Sequence, residues 1–144
     1  MVDRRTRDSA RGLLRNFIDC KLTNDEFHAQ FPDSENDAAL RAIRSNVWMF
    51  YSDLHTHKLA GKHKPNAEVS ALLGRCVLFL GSDFEFEWPV PKIGIANILP
   101  NLRRRLFRER SANSGTLQFG PDSGDQTVWP FFRRRDYDTP SEPD

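Results

Sequence analysis

Glycine and cysteine are both scarce here: eight glycines and two cysteines in 144 residues. The glycines do not fall into a P-loop or a G-x-G-x-x-G turn, so neither of the common phosphate cradles is present. There is no G-x-S-x-G elbow and no S-x-x-K, which removes the familiar nucleophilic-serine signatures. No C-x-x-C and no H-E-x-x-H occurs either, and no cofactor is implied. No apolar stretch approaches the roughly 18 residues of a membrane helix. The first residues, Met1-Val2-Asp3-Arg4-Arg5, have no apolar core behind them and do not read as a secretory signal. Cys20 and Cys76 lie in apolar helical patterns, so two buried free thiols in a cytoplasmic protein are expected.

An excess of charge of one sign is also missing. The 21 basic and 20 acidic residues leave a net charge of +1. This disfavours a strongly basic nucleic-acid binder and an acidic solvating tail. Leu, Ile, Val and Phe make up a quarter of the chain, above the roughly one-fifth associated with disorder. One folded domain is the natural reading of this length.

Apolar periodicity predicts four principal helices. The first runs from about Asp8 to Cys20, with Ala10, Leu13, Leu14, Phe17 and Ile18 on one stripe; Arg4, Arg5, Arg7, Arg11 and Arg15 read as a solvated face. The second opens on a capping box, Thr23-Asn24-Asp25-Glu26, flanked by the staple pair Leu22 and Phe27, and ends near Phe31 before Pro32. The third reads as the longest: Leu40, Ile43, Val47, Phe50 and Leu54 follow 3-4-3-4 spacing, with Ser34 or Asn36 as its cap. The fourth opens at Pro65-Asn66, buries Val69, Leu72, Leu73, Cys76, Val77 and Leu80, and stops at Gly81-Ser82.

Beyond residue 82 the pattern changes. Phe84, Phe86 and Trp88 alternate with Glu85 and Glu87, which reads as an extended segment over 83–95, limited to an edge by Pro89 and Pro91. A short fifth helix fits 100–110. Residues 111–127 read as a polar linker, 128–138 as an aromatic and arginine-rich arm docked on the domain, and 139–144 as a disordered tail. Residues 1–110 then form a single mainly α domain, a small helical bundle; a small α+β domain is the alternative. The charge that cancels overall is segmented here: −3 over 83–91, +5 over 92–110 and −3 over 111–144.

Three functional readings follow. A non-enzymatic module that binds a protein partner would use Glu85, Glu87, Trp88, Arg103, Arg104, Arg105, Arg108, Trp129 and Phe131, because aromatics and arginine dominate interface hot spots. A nucleic-acid-associated regulator would use the Arg103–Arg110 block on phosphates, although Arg103 to Arg105 fan around a helix. A metal-dependent enzyme would be centred on His55, His57 and His63 with Asp53. Residues two apart on a helix point away from one another, so those imidazoles converge only where the helix has stopped.

Some strings resemble a group of small bacterial proteins. They are Leu40-Arg41-Ala42-Ile43 through Trp48-x-x-Tyr51-x-Asp53-Leu54, then His57-Lys58-Leu59-x-Gly61-Lys62-His63. Arg75-Cys76-x-Leu78-Phe79-Leu80-x-Ser82-Asp83, Glu85-x-Glu87-Trp88-Pro89, and Trp129-Pro130-Phe131 with Asp136-Tyr137 complete the set. The resemblance implies that the helical segment and the aromatic arm belong to one unit. It supplies no catalytic or binding residues. By analogy, such proteins are sometimes immunity proteins or accessory partners.

Overall fold

The structure, a computed structural model, describes residues 1–51, 54–89 and 124–139. The described residues are mainly α, with four helices of seven residues or more: α1 (Arg4–Ile18), α2 (Asn24–Gln30), α3 (Ala38–Trp48) and α4 (Ala67–Leu80). A one-turn helix, α5 (Arg134–Asp138), follows near the end. Among the described residues there is no strand; the alternating segment 83–88 is extended chain without a ladder. The predicted helix at 100–110 and most of the linker lie outside the described residues, as does the tail beyond Thr139.

α1 starts a turn earlier than its apolar stripe suggests. The Asp3 side chain accepts from the Thr6 backbone N–H and closes the first turn. The helix ends in a Schellman motif, with the Lys21 N–H on the Asn16 carbonyl at 2.8 Å and the Cys20 N–H on that of Phe17 at 3.1 Å. Cys20 takes the left-handed position there (φ 58°), so it lies beyond the helix and not within it. Its Sγ donates to the Leu59 carbonyl.

The capping box of α2 is present in full. α3 is capped by Asp37 and not by Ser34 or Asn36. At 11 residues it is shorter than α1 (15) and α4 (14). Its periodic stripe does not run on to Leu54, which is 80% exposed. The Asn46 amide donates to the Ala42 carbonyl, and Met49 and Phe50 bond back to Asn46 and Val47. This i→i+3 tightening ends the helix in a run of bulky residues, Trp48 to Tyr51.

α4 begins on Asn66, whose side chain accepts from the Val69 N–H at 2.8 Å. It stops at Gly81, with the Ser82 hydroxyl on the Phe79 carbonyl. The core gathers Ala10, Leu14 and Phe17 of α1, Phe27 of α2, Leu40 and Ile43 of α3, and Leu72, Cys76 and Leu80 of α4.

Val128, Trp129 and Phe131 are buried in that same core. The Phe131 ring packs edge-on against Phe79 and Phe84, and Trp129 against Phe86. Three polar contacts hold the arm. The Trp88 indole N–H donates to the Pro130 carbonyl (3.0 Å), the Arg75 Nε to the Trp129 carbonyl (3.0 Å), and Arg133 makes a two-pronged pair with Glu87 (2.5 and 2.7 Å). The arm begins before residue 128: Asp125 caps a 3-10 turn at Gln126–Val128, and its own N–H bonds to the Phe132 carbonyl. The Trp129–Pro130 peptide is cis.

Candidate functional site

Three of the five arginines, Arg4, Arg7 and Arg11, are not on a solvated face, whereas Arg5 and Arg15 are exposed. Arg7 continues the buried repeat Ala10, Leu14, Phe17 back by one step, and its side chain is 1% exposed. Its Nε and Nη2 grip Asp37 at 2.6 and 3.0 Å, and its Nη1 donates to the carbonyls of Ser82 and Phe84. The guanidinium also lies 5.0 Å from the centre of the Phe79 ring. Arg4 reaches the Leu80 and Ser82 carbonyls and the carboxylates of Asp8 and Asp83. Arg11 lies over Gly81, where an added Cβ would sit 2.6 Å from its guanidinium carbon.

Residues 4, 7 and 11 share one helix face. They meet the C-terminus of α4, where unpaired carbonyls and the negative end of the helix dipole favour cations. Burial opposes ionisation of Asp37. The Arg7 guanidinium and the backbone N–H groups of Asp3 and Ala39 outweigh it and hold the carboxyl below its usual range. Arg7 and Asp37 spend their hydrogen bonds on each other and on the backbone of three segments, so the role of this buried pair is structural.

The residues proposed for partner binding do not form one patch. Trp88, Trp129 and Phe131 are 8%, 6% and 0% exposed and belong to the core. They are therefore not available to a partner on the folded surface; three large apolar rings gain more from burial against α4 than from water. Glu87 is engaged by Arg133, whose guanidinium is pushed up by that pairing. Glu85 is exposed and lies 3.5 Å from the N-terminal amine of Met1. Arg103, Arg104, Arg105 and Arg108, on which the nucleic-acid reading depends, lie outside the described residues.

The histidines are placed by α2. Asn24 receives the His57 N–H on its side chain at 2.8 Å and gives its own N–H to the His57 carbonyl at 2.9 Å. The buried His57 ring bonds through Nδ1 to the His55 carbonyl at 2.8 Å. A carbonyl only accepts, so that nitrogen carries the proton; Nε2 has no partner among the described residues. His63 stacks on His57, with ring centres 3.9 Å apart and planes 21° from parallel. Burial, followed by the nearby His57, Lys62 and His55, holds His63 below its ordinary value. Ring lone pairs lie in the ring planes, and two nearly parallel planes this far apart do not meet at one ion. His55 is exposed, and Asp53 lies outside the described residues. Among the described residues, no group of three or more His, Cys, Asp or Glu is placed to hold a metal.

Two surface features emerge that the sequence reading did not single out. At the end of α3, Trp48 and Met49 are 46% and 41% exposed, and the Trp48 ring lies against His28. Between the last turns of α1, the middle of α4 and α5 there is a groove of about 500 Å³. Ile18, Gly74, Leu78 and Tyr137 line it, with Arg15 and Arg75 beside them. Leu78 is exposed there, and a Cβ added at Gly74 would meet nothing within 4 Å. A sequence signal existed for Leu78, which falls off the Val69, Leu73, Cys76, Leu80 face of α4.

Comparison with protein-family models, curated proteins and solved structures finds no match. No helix among the described residues is long and apolar enough to cross a membrane.

Proposed function

We propose that this chain is a protein-interaction module. The observation that carries the reading is the exposure of large apolar side chains on ordered helices. Trp48 and Met49 end α3, and Leu78 stands on the outer face of α4. Water-facing tryptophan and methionine on a chain that buries its other two tryptophans is the composition of a contact surface. The function therefore moves from the C-terminal aromatics, which build the core, to the helical surface.

Photocrosslinking in the cells that make the protein tests this. A benzophenone side chain at Met49 or Leu78 is expected to give a discrete adduct with another protein, while one at the exposed Glu68 gives none. Loss of adducts at both apolar positions overturns the reading.

A further inference from the structure

The groove between α1, α4 and α5 has a chemistry that selects its occupant. Its apolar lining comes from Ile18 and Leu78, with Tyr137 at one side. Its polar groups are mainly donors. The Arg15 side chain makes no ion pair or hydrogen bond among the described residues, and the contact found for the Arg75 guanidinium runs from Nε to the Trp129 carbonyl. Two arginines thus line a water-exposed, mostly apolar recess. Asp19, the acidic residue in the lining, has Lys21 at 3.3 Å. An arginine beside an apolar recess is complemented by a carboxylate beside an apolar side chain.

We propose that this groove binds an acidic amphipathic helix of a protein partner. The apolar face of that helix would lie over Gly74 and Leu78, and its Asp or Glu residues would pair with Arg15 and Arg75. A helix suits the site because the walls are helices, and because Gly74 leaves open space where a side chain would keep a second backbone away. The chain's own 99–110 segment offers Leu99, Leu102 and Leu106. It also carries Arg103, Arg104, Arg105, Arg108 and Arg110, and like charge against Arg15 and Arg75 disfavours it. The proposal rests on the protein-interaction reading and names one partner surface for it.

The test uses the full-length, isotope-labelled chain and two synthetic helical peptides with one leucine face, one flanked by Glu and the other by Lys. The Glu peptide is expected to shift the amides of Arg15, Ile18, Gly74, Leu78 and Tyr137, and to weaken as salt rises. Arg15→Glu, at an exposed helix position, should lower its affinity at least tenfold and improve that of the Lys peptide. Leu78→Asp should abolish binding of the Glu peptide, with helical content unchanged. Several outcomes overturn the proposal: silence of these amides up to millimolar peptide, equal binding of both peptides, equal competition by a short fatty acid, or self-association of the chain through the same amides. If the groove is silent while crosslinking at Met49 persists, the groove proposal alone falls. If the adducts at both Met49 and Leu78 are also missing, the interaction reading falls with it.

Discussion

The carboxylate of Asp37 caps α3 through the Ala39 N–H and also grips Arg7 of α1, at 2.6 and 3.0 Å. One side chain thereby sets both where α3 begins and how α1 lies against it, while Arg7 carries the contact on to the exit of α4. Removing one partner of such a pair strands the other charge inside the protein, at a cost of about 3–5 kcal/mol. Arg7→Met is therefore expected to lose stability on that scale in urea titration. The double variant Arg7→Met/Asp37→Asn should lose less than Arg7→Met alone, because no buried charge is left unpaired.

Acid sensitivity follows from the same carboxylate. In the folded chain Asp37 is held below its ordinary value near 3.8, so between the two values the unfolded chain binds the extra proton. The stabilisation is complete above about pH 4 and is lost as pH falls through the lowered folded value. Asp3, Asp125 and Glu26 are held low too, by the Thr6 hydroxyl, the Thr127 hydroxyl and the Thr23 N–H respectively. Urea midpoints measured from pH 7 to pH 2 should fall in two steps, a small one just below the ordinary histidine value, where the unfolded chain protonates His63 first, and a larger one at the acid end; Asp37→Asn should flatten the acid step without removing it.

Two glycines should respond oppositely to alanine. At Gly124 a Cβ would stand 2.6 Å from the Phe132 ring and 3.0 Å from its carbonyl oxygen, where the backbone has little room to give. Gly124→Ala is expected to cost about 1–3 kcal/mol, with tryptophan emission from Trp88 and Trp129 shifting to the red at lower urea. At Gly12, exposed in the interior of α1, a Cβ meets nothing within 4 Å. Gly12→Ala should stabilise by up to about 1 kcal/mol.

The thiols should separate by reactivity. Cys76 is fully buried, and burial pushes its thiol up to about 12; Cys20 is only half-buried. A thiol reagent at pH 8 should label Cys20 promptly, and Cys76 only at the rate of unfolding. Prompt labelling of both would contradict the packing of α4.

Local chemistry was legible where it was self-contained. The α2 capping box and the Asn66 and Gly81 ends of α4 need only neighbouring residues, and the apolar stripes need only helical period. Arg7 was misread because its residue type spoke louder than its position, three residues ahead of Ala10 on the buried repeat. Asp37 was passed over for Ser34 and Asn36 as the cap of α3, and its second role depends on Arg7, 30 residues away. The end of α3 was overrun because Phe50 and Leu54 keep the period after the hydrogen bonds have stopped. As for the candidate site, the aromatics of the arm were legible as docked on the domain, but the rings and carbonyls they meet were not. Their partners, Phe79 and Trp88, stand some 40–50 residues earlier. The groove was invisible because it is made by three separate helices.

The Trp88–Pro130 bond has a consequence during synthesis. A chain emerging from the ribosome carries α1 to α4 long before Trp129 and Phe131 appear, and until then Phe79, Phe84 and Trp88 lack their covering rings. The nascent protein is thus an open-sided bundle for a stretch of about 40 residues of elongation. At about 5–20 residues per second, that exposure lasts a few seconds. Any insertion between Pro89 and Gly124 should lengthen that exposure.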